Sequence, residues 1–68
     1  MRVVLNGEGR ELDDGATVRE AVSATGAPSE GRGVAVALDG EVVPRRSWDD
    51  VPLREGARVE VVQAVQGG

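Results

Sequence analysis

Thr17-Val18-Arg19-Glu20-Ala21-Val22-Ser23-Ala24-Thr25-Gly26 decides the fold, because it is the one stretch with a helical signature at both ends. Thr17 and Glu20 have the spacing of a capping box, in which the N-cap side chain bonds the Glu20 amide and the Glu20 carboxylate bonds back. Val18, Ala21, Val22 and Thr25 fall at i, i+3, i+4 and i+7, one apolar stripe of a helix about two turns long. Gly26 stands where a left-handed C′ residue is wanted, and Pro28 prevents continuation. One short helix with a single apolar face needs a sheet to cover it.

The flanking segments supply strands. Upstream, Arg2-Val3-Val4-Leu5 is β-branched and closes on Asn6-Gly7, the composition of a strand and a tight turn. Glu8-Gly9 is read as prolonging that turn, Arg10-Glu11-Leu12 as the returning strand, and Asp13-Asp14-Gly15 as a break. Downstream, Ala27 to Gly33 is small, polar and glycine-containing, and reads as a mobile loop. Val34-Ala35-Val36-Ala37-Leu38 alternates large and small residues, so its larger face is expected inward. Asp39-Gly40 is a hairpin turn signal, and Glu41-Val42-Val43 pairs back until Pro44 confines it to an edge. Ser47-Trp48-Asp49-Asp50 is expected to form a short helical turn capped by Ser47, with Trp48 as a core plug beside Leu53. The last strand starts at Ala57.

The order is therefore β, β, α, β, β, helical turn, β. A strand–helix–strand crossover is right-handed and lets a later strand lie parallel to an earlier one. If the last strand pairs beside the first, the result is an α+β fold of the β-grasp (ubiquitin-like) type, a mixed sheet packed on one main helix. Other α+β arrangements share this order. The expected domain spans residues 1–65, with 66–68 as a flexible Gly-Gly tail.

In the last strand, Ala57, Val59 and Val61 share a face and point to the core, opposite Arg58 and Glu60. The alternation then fails: Val62 and Ala64 fall on the charged side and Gln63 on the core side. Either a bulge shifts the register, or Val62 and Ala64 form an apolar patch facing solvent, suited to docking a partner.

Composition narrows the function. The chain has 68 residues and no Cys, so neither disulfide nor thiolate metal site reinforces a domain of this size. Without His or Cys it lacks the usual base and nucleophile. The pairs Asp13-Asp14 and Asp49-Asp50 read as solvated turn residues rather than acid/base catalysts. A net charge of −4 disfavours nucleic acid. Every positive side chain is Arg, so no lysine amine is available for acylation. No apolar run approaches the roughly 20 residues of a membrane span, and Met1 to Leu5 runs straight into polar Asn6-Gly7, unlike a leader peptide. A cytoplasmic, non-enzymatic protein is expected.

Gly67-Gly68 stands at the end of the sequence, where a glycine pair does not steer the chain into a further turn. Together with Val42-Val43-Pro44-Arg45, Trp48, the Leu53 to Gly56 turn and Val65-Gln66-Gly67-Gly68, it makes the chain resemble the thiamine-pathway sulfur carriers, small ubiquitin-like proteins. The resemblance implies a mechanism. A partner adenylating enzyme uses ATP and magnesium to activate the Gly68 carboxylate. A sulfur donor, a cysteine desulfurase or similar, then displaces AMP, and the thiocarboxylate delivers sulfur to a thiazole synthase. In that scheme Gly67 and Gln66 are recognised as the tail threads a channel, while Val62, Ala64 and Val65 dock. Terminal glycine leaves the carbonyl unhindered, and three residues from Gln66 reach about 10 Å when extended. The alternatives are the small subunit of molybdopterin synthase, a carrier for a specialised metabolite or amino acid, a modifier of amines, and a non-covalent β-grasp interaction module. Arg45 is read as pairing locally with an acid, with partner contact as its alternative; Pro44 reads as structural, and Asn6 and Asp39 as turn residues.

Overall fold

The computed structural model describes residues 1–28 and 30–64. Five strands and one helix follow the expected order: β1 (Arg2–Leu5), β2 (Glu8–Glu11), α1 (Val18–Ala24), β3 (Val34–Leu38), β4 (Glu41–Val43), a 3-10 helical turn (Arg45–Ser47) and β5 (Arg58–Gln63). The sheet order is β2-β1-β5-β3-β4. β5 runs parallel to β1, with Val4 opposite Arg58 and Leu5 opposite Val59, and antiparallel to β3. The last strand is thus central and α1 packs across one face: the β-grasp arrangement.

Strand alternation sorts the side chains. Val3 and Leu5 of β1, Val36 of β3, and Val59 and Val61 of β5 are buried on the inner face. They meet Val18, Ala21 and Val22 from the apolar stripe of α1. Each such valine or leucine stabilises by roughly 1.5–3 kcal/mol relative to full exposure. Trp48 completes the core at 1% exposure, and its indole N–H donates to the Val43 carbonyl at 2.9 Å. No polar or charged side chain is buried among the described residues.

The start of α1 explains why the irregular segment after β4 lies where it does. The first N–H groups of a helix have no partner within it. Here Val18 N–H donates to the Val51 carbonyl at 3.0 Å and Arg19 N–H to the Trp48 carbonyl at 3.1 Å. The Glu20 carboxylate accepts the Thr17 N–H at 3.3 Å, as the capping box requires. At the other end Gly26 takes φ 83°. No helix among the described residues is long and apolar enough to cross a membrane.

Three boundaries differ from expectation. The first turn is only Asn6-Gly7, both with positive φ, so β2 begins at Glu8 and Gly9 pairs with Val4. A side chain at Gly9 would meet only the exposed Arg2 guanidinium, at an ordinary contact distance of 3.4 Å. A 3-10 turn over Arg45–Ser47, after Pro44 with φ −61° and ψ 145°, precedes the expected one, in which the Asp50 N–H donates to the Ser47 carbonyl at 2.9 Å. Finally, β5 starts at Arg58, one residue after Ala57; the Ala57 N–H is still engaged by the Arg54 carbonyl in the preceding turn.

Candidate functional site

Residues 34–38 pair with residues 59–63 without interruption, from Leu38 opposite Val59 to Val34 opposite Gln63. There is no bulge. The second alternative for the broken alternation therefore holds: Val62 is 65% exposed and Ala64 is exposed beside it. Gln63 falls on the inner side but is itself exposed, because it lies past the last core residue, Val61. The Ala64 N–H donates to the Gly33 carbonyl at 2.7 Å. Val65, Gln66, Gly67 and Gly68, the other candidate residues, lie outside the described residues.

The outer face of the sheet has two halves. Toward the end of β5, Val62 faces Ala35 across the β3 pairing, and Ala37 sits opposite Val42 of β4, which is 77% exposed. These residues, with Glu60, line a shallow depression. The other half is charged: Arg58 and Glu60 project from β5, and Arg2 lies 3.6 Å from Glu11 across the β1–β2 pair. An apolar strip with a charged border is the composition of a docking surface.

The acidic pairs occupy surface roles. Asp49 accepts the Arg19 Nε–H at 2.6 Å. Asp14 lies 3.1 Å from the Met1 ammonium, and this bond, opposed by desolvation and aided by Glu11, raises the ammonium pKa above its usual 8.0. Among the described residues no group of three or more acids is placed to hold a metal ion.

Two turn residues have longer-range roles than local reading gave them. The Asn6 side chain accepts the Val61 N–H at 2.8 Å and donates to the Val61 carbonyl at 3.2 Å. It therefore continues the β1–β5 ladder after the β1 backbone has turned away. On the opposite edge of β5, Asp39 Oδ1 accepts the Arg58 N–H at 3.0 Å. Arg45 also departs from expectation: it donates to the Glu30 backbone carbonyl at 3.5 Å, and among the described residues no carboxylate pairs with it. No local signal marks these contacts, since Asn6 and Val61 are 55 residues apart.

Comparison with known proteins extends beyond the described residues. The model of the ThiS family matches residues 3–68. A sulfur carrier protein ThiS from Thermus thermophilus is 46% identical over 66 residues, which cover 97% of this chain and 98% of that protein. A thiazole synthase from Paramagnetospirillum magneticum is 35% identical over 68 residues, all of this chain, but the chain spans only 20% of that protein's length. Among solved structures, the crystal structure of a thiamine biosynthesis protein (ThiS) from Geobacter metallireducens superposes with a TM-score of 0.78 at 30% identity, covering 100% of both chains. A solution structure of a thiamine biosynthesis protein from the same organism gives 0.79 at 30% identity, covering 100% of this chain and 88% of the other.

Proposed function

The chain belongs to the ThiS family, the sulfur carriers of thiamine biosynthesis, and we propose that Gly68 is the atom-bearing end of its chemistry. The observation that carries this reading is a family match running through to residue 68 on a fold whose central strand leads into the tail.

A carboxylate is a poor acyl donor because oxide is a poor leaving group. In the proposed sequence a Gly68 carboxylate oxygen attacks the α-phosphorus of ATP, and pyrophosphate leaves. ATP and magnesium are held by the adenylating partner, where the metal neutralises phosphate charge. The terminal sulfur of a persulfide carried by a cysteine desulfurase or similar donor then forms a C–S bond at the acyl carbon as the C–O bond to AMP breaks, and a thiol cleaves the S–S bond of the acyl disulfide, becoming oxidised to a disulfide with the donor. The resulting thiocarboxylate passes its sulfur to the thiazole synthase. Gly67 and Gln66 form the segment recognised on entry, where the missing side chain of Gly67 admits close approach of a partner backbone. Val62 and Ala64, with Val65 following, form the docking strip.

A thiazole synthase partner is supported by the Paramagnetospirillum magneticum protein, in which a domain like this one shares a polypeptide with a much longer remainder. Joining two modules in one chain raises their effective concentration without new contacts, which is useful where they meet repeatedly. The carrier itself performs no bond chemistry in this scheme; its end is the substrate.

Intact-mass analysis of the protein purified from cells making the partner enzymes tests the proposal. The expected product is heavier by the difference between sulfur and oxygen, with fragmentation placing the change on Gly68. A mass that stays unchanged when active partners are present, or sulfur found elsewhere on the chain, would refute it.

A further inference from the structure

We infer that Glu30, Gly31 and Gly33 form a positioning element for the reactive end, seated on Trp48 and pinned by Arg45. Its task is to fix the direction in which the chain leaves β5. The inference rests on the carrier reading for its purpose but not for its geometry.

The contact with the tail's base is direct. Gly33 accepts the Ala64 N–H at 2.7 Å, and a side chain at Gly33 would lie 3.7 Å from the Ala64 Cβ. Ala64 is the last described residue before the tail. Gly33 in turn is bracketed by a turn in which the Val34 N–H donates to the Gly31 carbonyl at 3.1 Å.

Gly31 anchors that turn. It is buried, its φ is 76°, and a Cβ there would fall 2.5 Å from Trp48 Cζ3, 2.8 Å from Trp48 Cη2 and 2.8 Å from Arg45 Cδ. The backbone therefore lies flat against the indole edge in a way open only to glycine. The indole cannot give way readily, because its N–H is held by the Val43 carbonyl at 2.9 Å and the ring is in the core. Arg45 closes the arrangement from outside, bonding the Glu30 carbonyl at 3.5 Å. A loop that the sequence marks as mobile is thus tied to a buried, hydrogen-bonded indole, and its far end holds one exposed residue, Ala64.

A reactant held by its body but misdirected at its end docks normally and reacts slowly. Misplacement by about 1 Å is enough to cost on the order of 100-fold in rate. The arrangement should therefore act on turnover and leave docking alone.

The test uses the full chain with its adenylating enzyme, measuring ATP–pyrophosphate exchange at varied carrier concentration and, separately, Ala64 amide exchange by NMR. Gly31→Ala should reduce Ala64 protection and lower kcat, each by about tenfold, while KM stays within about twofold. Arg45→Ala, a change at an exposed residue, should shift both readouts in the same direction, and Arg45→Lys, which keeps the stem and a donor, should recover them. Should Gly31→Ala fail to fold, the Arg45 pair decides. Unchanged Ala64 protection in the folded variants, or a loss expressed in KM rather than kcat, overturns the inference. A wild-type chain that supports no exchange overturns the carrier reading instead, and is told apart because Ala64 protection is measured without the enzyme.

Discussion

Asn6→Ala should be among the most damaging single substitutions at a surface turn of this domain. The side chain makes two hydrogen bonds to the Val61 backbone, at 2.8 Å and 3.2 Å, both partly buried. Each is worth about 1 kcal/mol net, and its loss leaves a backbone group without its partner. The residue also sits at φ 50°, a left-handed conformation that asparagine tolerates and alanine resists by roughly 1 kcal/mol. The sum is about 3 kcal/mol, against a total of about 3–10 kcal/mol for a domain of this length. Asn6→Gly separates the contributions: it keeps the turn and loses only the two bonds, so it should cost about 2 kcal/mol. Asn6→Asp retains the acceptor for the Val61 N–H but sets a carboxylate against the Val61 carbonyl, and should fall nearer wild type at low pH than at neutral pH. Urea unfolding followed by Trp48 emission is the assay. With a slope near 1 kcal/mol/M, the alanine variant's midpoint should drop by about 3 M. An alanine variant within about 0.5 kcal/mol of wild type, or a glycine variant less stable than the alanine one, would refute the reasoning.

Val62→Asp should change stability by no more than about 1 kcal/mol, the span of strand propensity, because Val62 is already 65% exposed. It should weaken association with the adenylating enzyme at least about tenfold by placing a charge in an apolar contact, measured by calorimetric titration; equal affinity would remove Val62 from the docking strip. Adding one residue after Gly68 should abolish pyrophosphate exchange, with mass analysis confirming that the extension is untrimmed; exchange at the wild-type rate would contradict Gly68 as the acyl donor. The Met1 ammonium, its pKa raised above 8.0 by Asp14 and then Glu11, contributes stability that is fully present below 8.0 and lost as pH rises through the higher folded value. Unfolding midpoints should therefore decline above that range, less steeply in Asp14→Asn; identical pH profiles would dismiss the pairing.

Much of this fold is legible because its punctuation is local. Asn6-Gly7 and Asp39-Gly40 are both positive-φ pairs, which few residue types adopt, and the capping spacing of Thr17 and Glu20 sets the helix start. With two hairpins and one helix placed, a parallel pairing of first and last strands is one arrangement the order allows, and the structure selects it. What escaped reading depends on partners distant in sequence. Asn6 looks like any turn asparagine until Val61 is beside it, and Arg45 looks like a surface cation until the Glu30 carbonyl is beside it. Glu8-Gly9 resembles a turn because glycine is rare within strands; here both pair across from Leu5 and Val4, because the turn is completed by Asn6-Gly7 alone. Ala27 to Gly33 has the composition of a mobile loop, yet Gly31 is buried against Trp48, a contact no local pattern announces. The exposed Val62 was the exception, since the failed alternation itself gave two structural alternatives and the continuous β3–β5 register selects one.

The central place of β5 bears on the proposed docking at Val62. An edge strand is held from one side; β5 is held by β3 from Val59 to Gln63, by β1 at Arg58 and Val59, by Asp39 at its start and by the Asn6 side chain at Val61. Val62, proposed for docking, therefore lies in the central strand, and Ala64 follows just past its end, held by the Gly33 carbonyl. If docking uses Val62 as proposed, contact there sets where the tail begins. From Val62 to Gly68 the chain spans at most about 20 Å when fully extended. Any enzyme acting on Gly68 while seated on Val62 must hold its reacting atoms within that radius, and an enzyme that cannot do so must grip the carrier elsewhere.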